Sequence, residues 1–270
     1  MDPVLYQLGP IQIRWYSVLI LGAFFLAYRL IISEAKRLNI KYDFVFNMLF
    51  WTLIFGIIGA RLYYVAFNFH LYKNDLIEIF KVWNGGLAIH GGMLAGLFTI
   101  LYYSRKYKVP AKRIFDIIVP GLILGQAIGR WGNFFNQEAY GKIVEYSELL
   151  DMKIIPGFVV DNMYIKGAYR LPTFYFESIL CLLGFIIMLF YRRKKGRKNG
   201  QVLSFYLIWY GIVRFFIESF RSDSLMFFDF KVAQIVSVVM VIAGIIIYVI
   251  QKNKPELDEL YNDTSKSVNY

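Results

Sequence analysis

Ionisable side chains interrupt several apolar runs of this chain, and each run approaches the length of about 20 residues that crosses a bilayer. These side chains are Arg61, His90, Arg130, Arg214 and Glu218, with Arg29 and Asp116 nearer the ends of their runs. An ionisable group inside a bilayer is costly, so such residues are candidates for function. Arginine binds phosphate through two parallel hydrogen bonds, and histidine titrates near neutral pH. The residue types therefore predict anion binding together with acid–base chemistry.

The spacing of the polar residues places them on single helix faces. Glu218 lies one helical turn from Arg214 and from Arg221, so it can pair with either arginine. A second polar stripe lies beside a row of glycines, which favours close packing of helices. The first stripe is Tyr210, Arg214, Glu218 and Arg221; the second is Gln126, Arg130, Asn133 and Gln137, beside Gly121, Gly125, Gly129 and Gly132.

The elements that position these residues are transmembrane helices. Of the 270 residues, 58% are hydrophobic and only 18% are charged, whereas a soluble domain has about 25% charged residues. The sequence predicts an all-α integral membrane protein with one membrane domain, residues 1–250, and a polar cytoplasmic tail, residues 251–270, that frays after Pro255. We predict seven spans, at residues of about 15–33, 44–66, 87–104, 114–133, 174–191, 202–220 and 232–250.

Charge in the loops predicts the orientation. The loops after the first, third and fifth predicted spans carry three, five and six Lys or Arg, and basic residues favour the cytoplasmic side. The N-terminus is therefore predicted outside and the tail inside. Residues 134–173 then form a small extracytoplasmic cap, in which IIPGFVV and MYIKGAYRLP are strand-like. The net charge of +11 follows from these loops and does not indicate a nucleic-acid binder.

The predicted orientation brings Arg61, His90, Arg130 and Arg214 to one layer in the outer half of the bilayer. Two of them have a plain structural alternative: Arg61 can snorkel or bind a carbonyl, and His90 can be a satisfied polar residue. Two buried guanidinium groups in one layer nevertheless need an anion, and the carboxylates available there are few. They are Glu218, Glu138 and Glu177. The phosphate of a phospholipid is the natural remaining partner.

One segment carries a family resemblance. Residues 129–141 read GRWGNFFNQEAYG, which is similar at every fixed position to the signature of bacterial prolipoprotein diacylglyceryl transferases. Further motifs lie on both sides of it in the order of that family: IRWY, GARLYYV and GGLAIHGG before it, and RLPTFYFES and YGIVRFFIESFR after it. Two positions differ from the family pattern. Ser17 stands where Gly is usual, and Phe176 stands where Tyr is usual, so a hydroxyl at that position is absent or comes from Tyr175.

The resemblance implies transfer of the diacylglyceryl group of phosphatidylglycerol to the lipobox cysteine of a prolipoprotein, next to its signal peptide. A thioether forms, glycerol 1-phosphate leaves, and neither a metal nor another cofactor is expected. The enzyme would lie in the bacterial cytoplasmic membrane, surrounded by membrane lipid, with its active site toward the outer leaflet. The expected catalytic residues are His90 as general base and Arg130 and Arg214 on the phosphate; the expected substrate-binding residues are Tyr16, Arg61, Asn133, Asn136, Glu138, Tyr210, Glu218 and Arg221.

A lipid or solute transporter that uses the same arginines as an anion site is the main alternative. It predicts binding without a covalent product, and the sequence shows no internal repeat of the kind found in many transporters. A serine protease would need a nucleophilic serine beside a histidine, and a metal-dependent transferase would need clustered acids. The spans contain neither pattern. Cys181, the single cysteine, is expected to be a packing residue.

Overall fold

A computed structural model describes residues 2–9, 11–254 and 260–264 of the chain. The described residues are mainly helical, with one two-stranded antiparallel sheet before the first helix and two more between later helices. The helices are α1 (Trp15–Arg37), α2 (Tyr42–Phe67), α3 (Ile89–Lys106), α4 (Ala111–Phe135), α5 (Tyr146–Asp151), α6 (Gly157–Asp161), α7 (Thr173–Tyr191), α8 (Gln201–Phe220) and α9 (Val232–Lys252). The strands are β1 (Val4–Leu8), β2 (Ile11–Arg14), β3 (Tyr164–Ile165), β4 (Ala168–Tyr169), β5 (Met226–Phe227) and β6 (Phe230–Lys231).

Within the described ranges, six helices are long and apolar enough to cross a membrane: α1, α2, α4, α7, α8 and α9. The prediction of an integral membrane protein built from helices is therefore confirmed. Helix α3, the third predicted span, does not belong to this group. It has 18 residues, begins with His90 in its first turn and ends in Arg105 and Lys106, so its apolar part is short.

The chain forms two compact units. The first combines the segment up to Ile31 with Phe115–Asn262, and it contains α7, α8 and α9 together with most of α1 and α4. The second contains Ile32–Ile114, where α2 packs against α3. This contact is close because Gly59 and Gly91 face each other; a Cβ on Gly91 would lie 2.3 Å from the Gly59 carbonyl oxygen. The helices of the second unit are thus held by direct backbone approach.

Helix α8 begins on a carboxylate that another helix supplies. The buried side chain of Asp116 in α4 accepts hydrogen bonds from the backbone N–H of Gly200 at 2.5 Å and of Leu203 at 2.7 Å. A helix N-terminus has unpaired N–H groups and a partial positive charge, so a carboxylate stabilises it there. The contact fixes the start of α8 against α4, and the position of every residue along α8 follows from it.

The glycine row of α4 packs against α1 at some positions and is open at another. A Cβ on Gly132 would lie 2.4 Å from the ring of Tyr16, and a Cβ on Gly121 would lie 3.0 Å from Ala27. A Cβ on Gly125, in contrast, would meet no atom of the described residues within 4 Å. The predicted close-packing face therefore holds at its two ends, and free space lies beside the turn that contains Gly125.

The segment between α4 and α7 has its own apolar core. Phe134, Leu149, Val159 and Phe174 are among the buried residues that form this cluster. The strand prediction holds for MYIKGAYRLP, where β3 and β4 form a hairpin. It is wrong for IIPGFVV, because Pro156 is followed by the short helix α6, as is common when proline precedes the first helical turn.

The described part of the tail is packed rather than frayed. Tyr261 is fully buried, and its backbone N–H donates to the carbonyl of Arg197 at 2.7 Å. The amide of Asn262 donates to the carbonyls of Arg192 and Lys194. Residues 260–264 therefore contradict the prediction of fraying, while residues 255–259 and 265–270 lie outside the described part.

A steric test of the α7–α8 contact uses Gly184. A Cβ at this position would lie 2.2 Å from Nε1 of Trp209, whose N–H donates to the Leu180 carbonyl at 2.9 Å. We expect Gly184→Ala to lower the free energy of unfolding by about 1–3 kcal/mol, the usual cost of overpacking. Thermal unfolding in detergent measures the change. Gly22→Ala, on the open surface of α1, is the control, and an equal effect of both variants would refute the packing argument.

Candidate active site

A buried carboxylate joins the two arginines that the sequence singled out. Glu177 in α7 is 1% exposed; its Oε1 lies 2.8 Å from Nη2 of Arg130 in α4, and its Oε2 lies 2.9 Å from Nη1 of Arg214 in α8. Three helices therefore meet at one ion cluster. Breaking such a cluster by removing one partner is strongly destabilising, because the remaining charge stays buried without compensation. The structure thus brings Arg130 and Arg214 together.

Neutral polar groups complete the contacts around Arg130. The hydroxyl of Tyr210 donates to Oε1 of Glu177 at 3.3 Å and lies 3.4 Å from Nη2 of Arg130. Nη1 of Arg130 donates to Oδ1 of Asn133 at 3.3 Å, and the Asn133 amide donates to Glu138 at 3.5 Å. These bonds orient the planar guanidinium group, because its donors have a fixed geometry.

The second carboxylate of the cluster lies on α8 itself. Glu218 is buried and binds Nη2 of Arg214 at 2.6 Å, one helical turn away, while Nε of Arg221 lies 3.8 Å from the same carboxylate oxygen. The predicted pairing of Glu218 with Arg214 or Arg221 is therefore confirmed for Arg214 at close range. Lys231 ends the helix by donating to the backbone carbonyls of Glu218 and Arg221, at 2.7 and 2.8 Å.

Packing between α4 and α7 positions Glu177. The hydroxyl of the next residue, Ser178, donates to the Ala127 carbonyl of α4 at 2.8 Å, and the indole N–H of Trp131 donates to that hydroxyl at 3.1 Å. Trp131 lies one residue after Arg130, so the same turn of α4 that carries the arginine also fixes α7. The carboxylate is therefore held at the arginine by contacts that do not depend on charge.

The chain leaves α4 through two residues with left-handed backbone, Gln137 and Ala139, with φ of 53° and 57°. Ala139 is held there by two hydrogen bonds: its N–H donates to Asp223 at 3.1 Å, and its carbonyl accepts from Thr173 at 2.5 Å. Although partial burial opposes it, the hydrogen bond and charge of Arg221 keep the pKa of Asp223 below its ordinary value. The ionised carboxylate thus ties the end of α4 to the segment after α8.

Arg61 lies in the second unit and binds backbone there. Its Nε, Nη1 and Nη2 donate to the carbonyls of Ile79, Gly85 and Glu78, at 2.9, 2.6 and 2.6 Å. The guanidinium group also lies over the ring of Tyr72, 5.0 Å from its centroid. These contacts fit the structural alternative, in which Arg61 binds carbonyls and shapes the loop between α2 and α3.

The remaining predicted residues have fewer contacts. His90 is exposed in the first turn of α3, with its ring 6.2 Å from the ring of Tyr63. Tyr16 covers Gly132 and remains 39% exposed, and Glu138 is also exposed. Asn136 is half-buried in the turn that ends α4, where its N–H donates to the Gly132 carbonyl. These placements leave their predicted roles as predictions.

Sequence reasoning underestimated Glu177. Few carboxylates were expected near the arginines, which predicted a need for phosphate, whereas Glu177 contacts both. The signal that was available is a glutamate inside an apolar run, which is as costly as a buried arginine. Phe176 has no hydroxyl, and the neighbouring Tyr175 supplies one. The Tyr175 hydroxyl donates to the Ile154 carbonyl at 2.8 Å, so it binds the segment between α4 and α7.

Comparison with known proteins bears on the resemblance noted above. The sequence profile of the family described as prolipoprotein diacylglyceryl transferase matches residues 3–250, which is nearly the whole chain. The chain belongs to the prolipoprotein diacylglyceryl transferase family. It is 43% identical over 258 residues to the phosphatidylglycerol–prolipoprotein diacylglyceryl transferase of Streptococcus suis (strain 05ZYH33), covering 95% of each chain. It is 45% identical over 255 residues to the protein of that name from Streptococcus pneumoniae serotype 4 (strain ATCC BAA-334 / TIGR4), covering 94% of this chain and 95% of the other.

The ion cluster of this family member predicts a stability effect. Glu177→Gln preserves the size of the side chain but removes the charge that Arg130 and Arg214 share. We expect the free energy of unfolding to fall by about 3–5 kcal/mol, the usual cost of removing one partner from a buried pair. Thermal unfolding in detergent measures it, with Glu148→Gln, an exposed carboxylate of α5, as the matched control. Similar midpoints for the two variants would contradict a buried, essential carboxylate.

Proposed function

We propose that this chain transfers the diacylglyceryl group of phosphatidylglycerol to the lipobox cysteine thiol of prolipoproteins. In this reaction the thiol sulfur attacks the glycerol carbon that carries the phosphate, a C–S bond forms, and the C–O bond to phosphate breaks. The thiol proton goes to a base, and glycerol 1-phosphate leaves with the bonding electron pair. Membership of the family supports this function, and relatives of 43–45% identity carry the corresponding name.

The observation that carries the proposal is the convergence of Arg130 and Arg214 on Glu177. Each guanidinium group has five N–H donors, more than the carboxylates and amides around it accept. The two side chains keep 18% and 15% of their surface exposed, so a ligand can reach them. A phosphate that binds there would meet two fixed cations, which stabilise the negative charge that develops on the departing glycerol phosphate.

We further propose that the chain crosses the bacterial cytoplasmic membrane seven times, with α3 as the additional span and the N-terminus outside. The six apolar helices and the basic loops support this topology. Residues 134–173 would then form an extracytoplasmic cap, residues 251–270 would be cytoplasmic, and the arginine pair would face the outer leaflet. In that topology, residues 1–250 form one membrane domain.

The other predicted residues receive roles within this proposal. His90 takes the proton of the substrate thiol; the signal peptide and its cysteine come from the precursor, so Cys181 need not react. Tyr16 contacts the lipid or the thiol, and Asn136 helps to orient the head group. Arg61 contributes to the substrate site indirectly, by holding the loop between α2 and α3 through backbone carbonyls. Asn133, Glu138, Tyr210, Glu218 and Arg221 orient the head group directly or through the arginines, an assignment that their contacts with the ion cluster support.

The direct test incubates the purified protein with phosphatidylglycerol and a lipobox peptide and measures the peptide mass. We expect a diacylglyceryl adduct on cysteine, which no longer forms when the peptide cysteine is replaced by serine. A transporter with an anion site would bind the lipid and leave the peptide mass unchanged. Binding without the adduct would therefore refute the transferase proposal and favour that alternative.

Arg130→Lys and Arg214→Lys test the need for the planar guanidinium group. Each variant keeps the charge but loses the two-pronged geometry that binds Glu177 and phosphate together. We expect kcat/KM to fall by about 100-fold or more in each, close to the effect of alanine, as when a donor to a developing oxyanion is lost. The exposed Arg105→Lys is the control. Near-normal transfer by both lysine variants would refute the geometric argument.

His90→Gln tests the base. If His90 accepts the thiol proton, the variant must rely on spontaneous ionisation of a thiol whose ordinary pKa is about 8.5. We then expect the rate of the variant to be far below that of the unmodified enzyme at pH 7. The gap between the two rates should become smaller by pH 9. Initial rates across this range decide the question. A deficit that is the same at every pH would remove His90 from the role of base.

A further inference from the structure

A second polar contact lies one helical turn from the arginine site and has no role in the mechanism above. Nε2 of Gln126 in α4 donates to the hydroxyl of Tyr206 in α8 at 2.9 Å. It repeats the contact between Arg130 and Tyr210 four residues earlier on both helices, and the rings of Tyr206 and Tyr210 are stacked with an interplanar angle of 2°. The two helices therefore present two parallel polar contacts, about 6 Å apart along their axes.

Gln126 and Tyr206 each keep a hydrogen-bonding group that has no partner among the described residues. Oε1 of Gln126 is buried and has no hydrogen-bond partner among the described residues. The Tyr206 hydroxyl accepts from Gln126, and over the same part of the chain no acceptor is found for its proton. A buried polar group without a partner costs free energy, so this turn of the two helices has hydrogen-bonding capacity for a ligand.

Side chains along one face of α4 change in order from charged to polar to apolar. At intervals of four residues it presents Arg130, then Gln126, then Leu122, which is 46% exposed. The stripe thus runs from a cation through a neutral polar group to an exposed apolar side chain. The space beside Gly125 adjoins the same turn of α4 as Gln126. A ligand that fits this stripe carries an anion at one end, neutral polar atoms next to it and hydrocarbon beyond.

A glycerophospholipid has its groups in this order. The phosphate is joined through glycerol to two ester groups, which lie about one helical turn deeper, and the acyl chains follow. An ester carbonyl oxygen accepts hydrogen bonds only, so it requires a donor. The Tyr206 hydroxyl is such a donor, and the Gln126 amide becomes one if it turns over and accepts from Tyr206 instead.

We propose that Gln126 and Tyr206 bind an ester carbonyl of the lipid whose phosphate lies at Arg130 and Arg214. This proposal rests on the proposed function and adds a specificity to it. The pair recognises the part of the lipid that is transferred, whereas the arginines recognise the part that leaves. The enzyme then prefers diacyl lipids over dialkyl lipids, in which ether groups replace the esters and the carbonyl oxygens are absent.

The test compares two phosphatidylglycerols of equal chain length, one with ester and one with ether links, in the peptide-adduct assay. For the unmodified enzyme we expect kcat/KM to be about tenfold higher for the ester lipid, which corresponds to about 1.4 kcal/mol, the scale of one buried hydrogen bond. In the double variant Gln126→Leu/Tyr206→Phe the ratio falls to about one, because turnover of the ester lipid drops while turnover of the ether lipid persists. Retained ether turnover shows that the variant is folded. Tyr248→Phe, which removes a phenol hydroxyl from α9, is the control and keeps the tenfold ratio.

Each outcome bears on the proposal. Equal transfer of both lipids by the unmodified enzyme overturns the ester assignment and leaves the transferase function intact. A tenfold ratio that persists in the double variant places the discrimination elsewhere and also overturns it. If the double variant is inactive on both lipids, the milder Tyr206→Phe decides, and an unchanged ratio there is again a refutation. Absence of any adduct with the ester lipid removes the proposed function, and this proposal with it.

Discussion

The structure of the first unit depends on one carboxylate shared by two guanidinium groups. Glu177 of α7 binds Arg130 of α4 and Arg214 of α8, so both of these helices lose their ionic contact with α7 if it is absent. Charges buried at this depth are tolerated only when they are paired and hydrogen-bonded. The pairing therefore limits how far each helix can slide or rotate. The neutral hydrogen bonds of Ser178 and Trp131 hold α7 against α4 in the same arrangement.

The cluster also explains how two arginines remain close together without a ligand. Arg130 and Arg214 would repel each other, but Glu177 and Glu218 supply an equal number of negative charges. In the proposed function, an arriving phosphate adds charge to a balanced site instead of filling a deficit, and the donors left on each guanidinium group decide how it binds. The proposed site is preorganised in this sense, which reduces the free energy needed for reorganisation during the proposed reaction.

Periodicity and residue type were enough to predict most of the helices and the stripe of Tyr210, Arg214 and Glu218, because both follow from local spacing. Six motifs in the order of the family, with residues 129–141 among them, were enough to identify the family. The contact of Glu177 with two other helices could not be predicted from local spacing, because it depends on how α4, α7 and α8 pack together. The strand predicted at IIPGFVV failed for a related reason: β-branched residues favour strands, but Pro156 and the surrounding core favoured a helical turn.

Helix α8 is fixed at both of its ends by side chains from outside it. Asp116 binds its first N–H groups, and Lys231 binds its last carbonyls. Rotation or piston-like movement of α8 would break these bonds, so conformational change during turnover is expected elsewhere. Arg214 is then held at a fixed position, and in the proposed reaction the lipid and the precursor must travel to it.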